Sequence, residues 1–437
     1  MPTNISANEP VYTVLHMQTS AAKPTQQERI VSEIYQTLQA NPAQLADEHW
    51  LRQSMAADFI KIFGGTAENL RCFAAPARIN LIGEHIDYNG GKVFPAALDK
   101  YLYMTVRRRE DDQILIRNLQ LPGEYRRTLS ARGIGNNELS YSLYLDGILE
   151  LIQKAGLEAT GGFEALIFTT VPRGGGVSSS AALELCYATL LQGLFPVELS
   201  RLELAKIAQL AEHEYVGVQC GIMDQFAVAF GKAGQAMLLD TGTLEYEYVP
   251  LDLGDHCIVL MNSNYPRTLA GSKYNERRAE CMQGLAIAQE TLPIKNLCDM
   301  NIAQFDQLAQ RIADPVIRKR VKHCVHENNR VHKSVLALRE GRLAEFGQLM
   351  NQSHISLRDD YEVSGDALDA LFGAASSHPD CLGARMTGAG FGGCAIALVK
   401  RSASEDFMAK VGTVYKARTG LQADFYQTMA GDGAREL

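Results

Sequence analysis

The sequence predicts an α+β chain of two or three domains, in which strand-rich stretches pack with helices. Three observations carry this reading. The stretch from Arg71 onward is strand-rich, and Phe163–Val171 is a nearly continuous apolar run that leads through a glycine-rich loop into a helix. Helical periodicity then dominates from Leu202 to about Tyr215 and again from Ile317 through Leu371. At 437 residues the chain has room for two or three domains, each burying a core of its own.

The first 45 or so residues read as an addition to that plan. Behind Pro24, Thr25 and Glu28 have the spacing of a capping box, the threonine accepting from a free N–H while the glutamate reaches back. Ile30, Ile34 and Leu38 recur every four residues, and Asn41-Pro42 stops the helix. A second amphipathic helix is expected from about Asp47 to Phe63, ended by Gly64-Gly65; neither helix is assigned any chemistry. Among the strands, Leu102, Met104 and Val106 alternate, Glu110–Asp112 reads as a turn, and Ile114 and Ile116 alternate again. Near the C-terminus a glycine-rich turn leads into a strand at Cys394–Val399, then a helix with Phe407, Val411 and Val414, then a short strand around Phe425.

Apolar residues make up 46% of the chain and charged residues 21%, a globular balance. The net charge is −8 and no Lys/Arg run is longer than Arg107-Arg108-Arg109, which argues against a nucleic-acid partner. No apolar stretch approaches the ~20 residues of a membrane span. The N-terminus lacks a basic start followed by an apolar core, so a cytoplasmic location is expected, with no membrane partner. Nine cysteines without a CxxC pair fit reduced thiols better than a disulfide scaffold or a zinc site, and Cys186 reads as a small core residue on a helix stripe.

Three segments carry chemistry. The first is Pro172–Ala182 (PRGGGVSSSAA), which joins the buried strand to a helix whose stripe is Leu183, Cys186, Tyr187, Leu190 and Leu194. Its three glycines let backbone N–H groups turn toward one point, and the helix start adds a positive dipole end, so the loop suits an anion. Three serines offer hydroxyls to phosphate oxygens or to magnesium, although no Gly-Lys-Ser/Thr closes the loop as in a Walker A. A plain strand–helix connection is the alternative.

The second segment, Ala77–Gly91 (ARINLIGEHIDYNGG), crowds Glu84, His85 and Asp87 within four positions after a strand end. Carboxylates so placed suit a polyhydroxyl ligand, since each accepts from two hydroxyls; a metal site and a charged surface loop are the alternatives. The third is Cys220–Phe226, where Asp224 stands alone in an apolar stretch and should be paired, either capping a helix or acting as a base on a substrate hydroxyl. Glu212, one helical stretch earlier, offers a carboxylate that could face magnesium.

The strings ARINLIGEHIDYNGG, VPRGGGVSSSAALE and RMTGAGFGGCAIAL resemble the three motifs of the GHMP sugar and metabolite kinases, and the first resembles the galactokinase signature in particular. CGIMDQF and SHISLRDDYEVSGDALDAL are similar to further segments of that branch, in the same order, so the resemblance runs from about Asp47 to the C-terminus. It implies the α+β two-domain GHMP kinase fold, mixed β-sheets with packed helices, with the active site between a domain over residues 46–235 and another over 236–437, behind a helical extension over 1–45. It implies ATP-dependent phosphorylation of galactose at the anomeric hydroxyl. An N-acetylgalactosamine kinase and a non-catalytic galactose sensor are alternatives within the same fold. It implies galactose contacts from Arg78, Glu84, His85, Asp87, Gly221, Asp224 and Tyr274. ATP would lie on Arg173, Gly174, Gly175, Gly176, Val177, Ser178, Ser179, Ser180 and Ala181, and Mg2+ on Ser180, or Ser179, and Glu212. Asp224 is the expected base or orienter, Arg78 the expected stabiliser of charge, and the Gly388–Gly393 turn the expected support through close backbone approach. Ala77, Arg173 and Val177 depart from the residues typical of these motifs without removing a functional group. The oligomeric state stays open, a monomer being compatible.

Overall fold

The computed structural model describes residues 26–39, 45, 47–135, 137–172, 174–266 and 270–437. Its larger sheet has six strands in the order β13-β1-β3-β6-β4-β5. These are β1 (Arg71–Asn80), β3 (Pro95–Arg108), β4 (Gln113–Asn118), β5 (Glu124–Thr128), β6 (Phe163–Thr169) and the C-terminal β13 (Arg435–Glu436). All neighbours are antiparallel except β4 and β6, so the sheet is mixed, as expected. One face packs on α3 (Ser142–Lys154), α4 (Ser179–Leu194) and α5 (Arg201–Ala211), burying Leu102, Met104, Val106, Ile114 and Ile116. The α4 stripe lies in the same core, Cys186 among it.

The alternation in β3 suggests one covered face, yet Tyr103 and Thr105 on the other face are buried too. The cover is the N-terminal pair of helices, α1 (Gln26–Gln39) and α2 (Glu48–Phe63). Ile34, Leu38, Leu51, Met55 and Phe59 pack there against Ala74, Tyr103, Leu166 and Phe168. Asp47 caps α2, accepting from the N–H groups of His49 and Trp50, and Gly64 ends it at a φ of 76°. The proposed Thr25 cap and the Asn41-Pro42 stop lie outside the described residues.

A second sheet, β10 (Cys381–Thr387), β11 (Cys394–Lys400), β9 (His256–Asn262) and β12 (Asp424–Thr428), is antiparallel throughout. The helical stretch from Ile317 resolves into α9 (Pro315–Arg339), α10 (Leu343–Asp359) and α11 (Asp366–Ser376), with Gly341 and Gly365 at positive φ in the breaks. In α12 (Ser404–Thr419) the buried face is Phe407, Val411 and Tyr415, while Val414 is half exposed. A small sheet ties β2 (Lys92–Val93) to β7 (Gln235–Asp240) and β8 (Tyr246–Pro250). Ala77, Ile79, Leu81 and Ile82 belong to the same core as the second sheet, so the end of β1 is wedged between the two halves. None of the nine cysteines forms a disulfide. Among the described residues no helix is long and apolar enough to cross a membrane.

Candidate active site

Where β1 enters the second core, its Arg78 gathers three segments. The side chain is 3% exposed and grips Asp224 with two parallel bonds, Nε to Oδ1 at 2.8 Å and Nη2 to Oδ2 at 2.7 Å. Its Nη1 donates to the Gly176 carbonyl at 3.0 Å, and its backbone N–H donates to Val177 O at 3.1 Å. Burial opposes the arginine charge, and the adjacent Asp224 outweighs it. Asp224 opens α6 (Met223–Phe230), where its side chain makes no cap, and it also accepts from the Ser178 hydroxyl. Ser178, the residue before α4, sits at a φ of 59°, strained for a residue with a Cβ. Ala77 keeps an ordinary negative φ, so its departure from glycine costs nothing in backbone strain.

These residues line a cleft of about 620 Å³. Glu84, His85, Asp87, Gly221 and Tyr274 are on its wall, as are Gly174, Gly176, Ser178, Ser179, Ser180 and Glu212. Gly175 instead packs toward Cys394, and the side chains of Val177 and Ala181 are sealed in the cores behind the loop. Arg173 lies outside the described residues. The glycines have steric reasons. A Cβ on Gly221 would strike the Asp87 carboxylate, and one on Gly388, at a φ of 84°, would strike the Gly176 carbonyl beside Arg78.

The cleft is strongly acidic. Glu84 is 1% exposed and accepts from Asn80 Nδ2 and the Gly388 N–H, with Arg385 at 3.7 Å. Burial pushes its carboxyl up, while Arg385 and Arg78 pull it down. Burial lifts Asp87 to about 7, and the fields of Asp224 and Glu84 add to the rise. Burial also lifts Glu212 to about 7, against a hydrogen bond from Ser180. His85 is held the other way: burial takes it down to about 3, with the field of His323 adding, so it is neutral. Glu212 belongs to a single π-turn, Glu212–Val216, that ends α5.

Other residues at the site carry no obvious signal in sequence. Arg385 on β10 and Asn80 on β1 support Glu84 through their side chains. Tyr88 holds His85 Nδ1 at 2.8 Å, Tyr361 holds Tyr88 at 2.8 Å, and His323 donates to the Glu84 carbonyl at 3.0 Å. Tyr88 and Tyr361 fall inside the recognised strings, yet a tyrosine there reads equally well as packing.

Residues 57–108 match the galactokinase galactose-binding signature, residues 143–232 the GHMP kinase N-terminal domain and residues 334–417 the GHMP kinase C-terminal domain. The chain is 45% identical over 383 residues to a galactokinase of Enterococcus faecalis, covering 87% of this chain and 98% of that protein. It is 43% identical over 388 residues to a galactokinase of Bacillus subtilis, covering 89% and 99%. Among solved structures, Lactococcus lactis galactokinase complexed with galactose superposes with a TM-score of 0.85 at 43% identity, over 89% of this chain and all of that one. A mevalonate kinase at 17% identity and a TM-score of 0.61, over 82% of this chain and 99% of that one, shares the fold. Kinship at this level, along nearly the whole length of the relatives, makes the chain a member of the galactokinase family of GHMP kinases.

Proposed function

We propose that the chain transfers the γ-phosphoryl group of ATP to the anomeric hydroxyl of galactose, giving galactose 1-phosphate. The observation that carries this reading is the Arg78–Asp224 pair, set beside the N-terminus of α4 in a cleft of small-molecule size. Asp224 orients the anomeric hydroxyl and accepts its proton as the oxygen attacks phosphorus. Arg78 holds that carboxylate in place through its two parallel bonds and offsets charge gathering on the transferred group. The N–H groups of Gly174–Ser180 and the α4 dipole cradle the phosphates.

Among the described lining residues Arg78 is the one cation, facing Glu84, Asp87, Asp224 and Glu212. ATP phosphates would add negative charge to a wall already acidic, so a divalent cation fits this donor set. The Ser180 hydroxyl and Glu212 carboxylate, hydrogen-bonded to each other, are the residues that would hold Mg2+, with phosphate oxygens and water completing its shell. It would supply neutralisation of phosphate charge. Glu84, His85, Asp87 and Tyr274 form the sugar-selective wall. The intact Ser180-Ala181-Ala182 run speaks for a catalyst rather than a sensor. A cytoplasmic enzyme is the expected setting.

Asp224→Asn is expected to lower kcat by roughly a hundredfold or more, measured by ADP release with galactose. Turnover near wild type in a folded variant contradicts the assignment. In a panel of galactose, N-acetylgalactosamine and glucose, galactose is expected to lead and glucose to react weakly or not at all, because an epimer leaves buried polar groups unpaired. Equal rates on galactose and glucose contradict the selective wall. Asp87 also predicts a pH effect on stability. Its folded pKa of about 7 lies above its unfolded value of about 4, so the folded chain holds a proton that the unfolded chain releases. Its contribution therefore fades as pH climbs from about 4 to 7. Denaturant titrations of the unliganded protein should show a shallower decline for Asp87→Asn, and parallel curves contradict the shift.

A further inference from the structure

Behind the sugar wall runs a chain of hydrogen bonds whose direction can be assigned from one end to the other. His85 Nε2 lies 3.1 Å from the carbonyl oxygen of Ala389, an atom that only accepts, so Nε2 carries the ring hydrogen. The neutral ring then has a bare Nδ1, which accepts from the Tyr88 hydroxyl at 2.8 Å. That spends the one hydrogen of Tyr88, so its oxygen must accept from the Tyr361 hydroxyl, 2.8 Å away. Tyr361 in turn accepts from the Cys281 thiol at 3.0 Å. Tyr361 is fully buried, Cys281 is 1% exposed and His85 4% exposed, while Tyr88 between them is half-buried. Asn89 fastens the same loop, donating to the His85 carbonyl at 3.0 Å. Three rings pack around the imidazole, with Tyr361 at 5.0 Å, Tyr274 at 5.4 Å and Tyr88 at 6.0 Å between centroids. His85 itself stands at a φ of 62°, a conformation that the surrounding contacts must hold in place.

We propose that Tyr88, Tyr361 and Cys281 are positioning residues for sugar binding, which fix His85 in its Nε2–H tautomer and thereby clamp Ala389 against the cleft. The consequence is steric and chemical together. His85 and Ala389 both line the cleft, one from the sugar loop after β1 and the other from the glycine turn between β10 and β11. The Nε2–H bond joins these two walls. With the relay intact, the Nδ1–H tautomer is excluded twice over: its hydrogen would meet a Tyr88 oxygen already engaged by Tyr361, and its bare Nε2 would face a carbonyl oxygen. Without the Tyr361 hydroxyl the Tyr88 oxygen is free to accept, the second tautomer becomes competitive, and the clamp on Ala389 loosens. The reacting end of the cleft, at Arg78 and Asp224, makes no hydrogen bond to the relay.

The inference rests on the cleft being the galactose site, and the experiment separates the two. Tyr361→Phe keeps the ring and removes only the hydroxyl. It should raise KM for galactose roughly five- to thirtyfold, as expected for the loss of a buried hydrogen bond, with kcat and KM for ATP within about twofold of wild type. Cys281→Ala should act in the same sense and Cys281→Ser, which keeps a donor, should recover most of the loss. With selectively 15N-labelled histidine, the ring correlations of His85 should show the Nε2–H pattern in the wild type and a mixture of tautomers in Tyr361→Phe. Unchanged galactose KM in folded Tyr361→Phe overturns the proposal, whether or not the tautomer moves. A fall in kcat with KM unmoved overturns it as well. If Asp224→Asn is inactive while the relay variants behave as wild type, the relay alone fails; if Asp224→Asn is active, the site assignment beneath it fails.

Discussion

The arrangement depends on one ion pair. Arg78 is buried and Asp224 is 29% exposed at its side chain, and they come from positions 146 residues apart. Leaving such an arginine without its carboxylate costs about 3–5 kcal/mol, so the pair holds β1, the glycine-serine loop and α6 in one relative placement. The arginine's remaining donor, on the Gly176 carbonyl, extends that hold to the glycine-serine loop. Ser178 accepts an uncommon backbone conformation to add its hydroxyl to the same carboxylate. Strain at this one residue and close approach at Gly388 serve the same geometry, since any Cβ on Gly388 would push the Gly176 carbonyl away from Arg78.

Around the pair the cleft sets acids against one another. Asp87 and Glu212 are both raised to about 7, and burial is the leading cause in each case. Both carboxyls therefore hold their protons to far higher pH than an exposed carboxylate does, and hydroxyl donors at one or positive charge at the other would favour ionisation. Burial raises Glu84 as well, with Arg385 and Arg78 drawing it back, and His85 differs because burial keeps it uncharged. A hexose and a phosphate chain ask for different electrostatics. In the proposed reading the two ends of the cleft would meet that demand with the same residue types in different surroundings: a polar, aromatic-backed wall for the sugar, and a helix N-terminus with a serine and a glutamate for the nucleotide.

Much of this was legible in the sequence, and for identifiable reasons. The glycine-serine run, the Glu84–Asp87 cluster and the lone Asp224 announce themselves because each is chemically out of place in its neighbourhood. The expectation that Asp224 must be paired follows from desolvation alone, and the pair is there. The α2 boundaries were readable because Asp47 and Gly64 are strong local signals. What local patterns do not carry is the far side of each contact. Alternation in β3 gives no hint that α1 and α2 cover its second face, because Tyr103 and Thr105 are tolerable on a wet surface. Val414 and Tyr415 are both apolar enough for the α12 stripe, and only packing selects Tyr415. Arg385, Tyr88 and Tyr361 matter through partners on other elements, and no spacing within their own segments reveals them.

The central claim is that the Arg78–Asp224 pair marks the point where the sugar's anomeric oxygen meets the terminal phosphate. A crystal structure of this chain with galactose and a non-hydrolysable ATP analogue tests it most directly. The account predicts the anomeric hydroxyl within hydrogen-bond distance of the Asp224 carboxylate, with the analogue's terminal phosphate over the N-terminus of α4. A galactose whose anomeric hydroxyl points away from Asp224, or that sits outside the cleft, would contradict it.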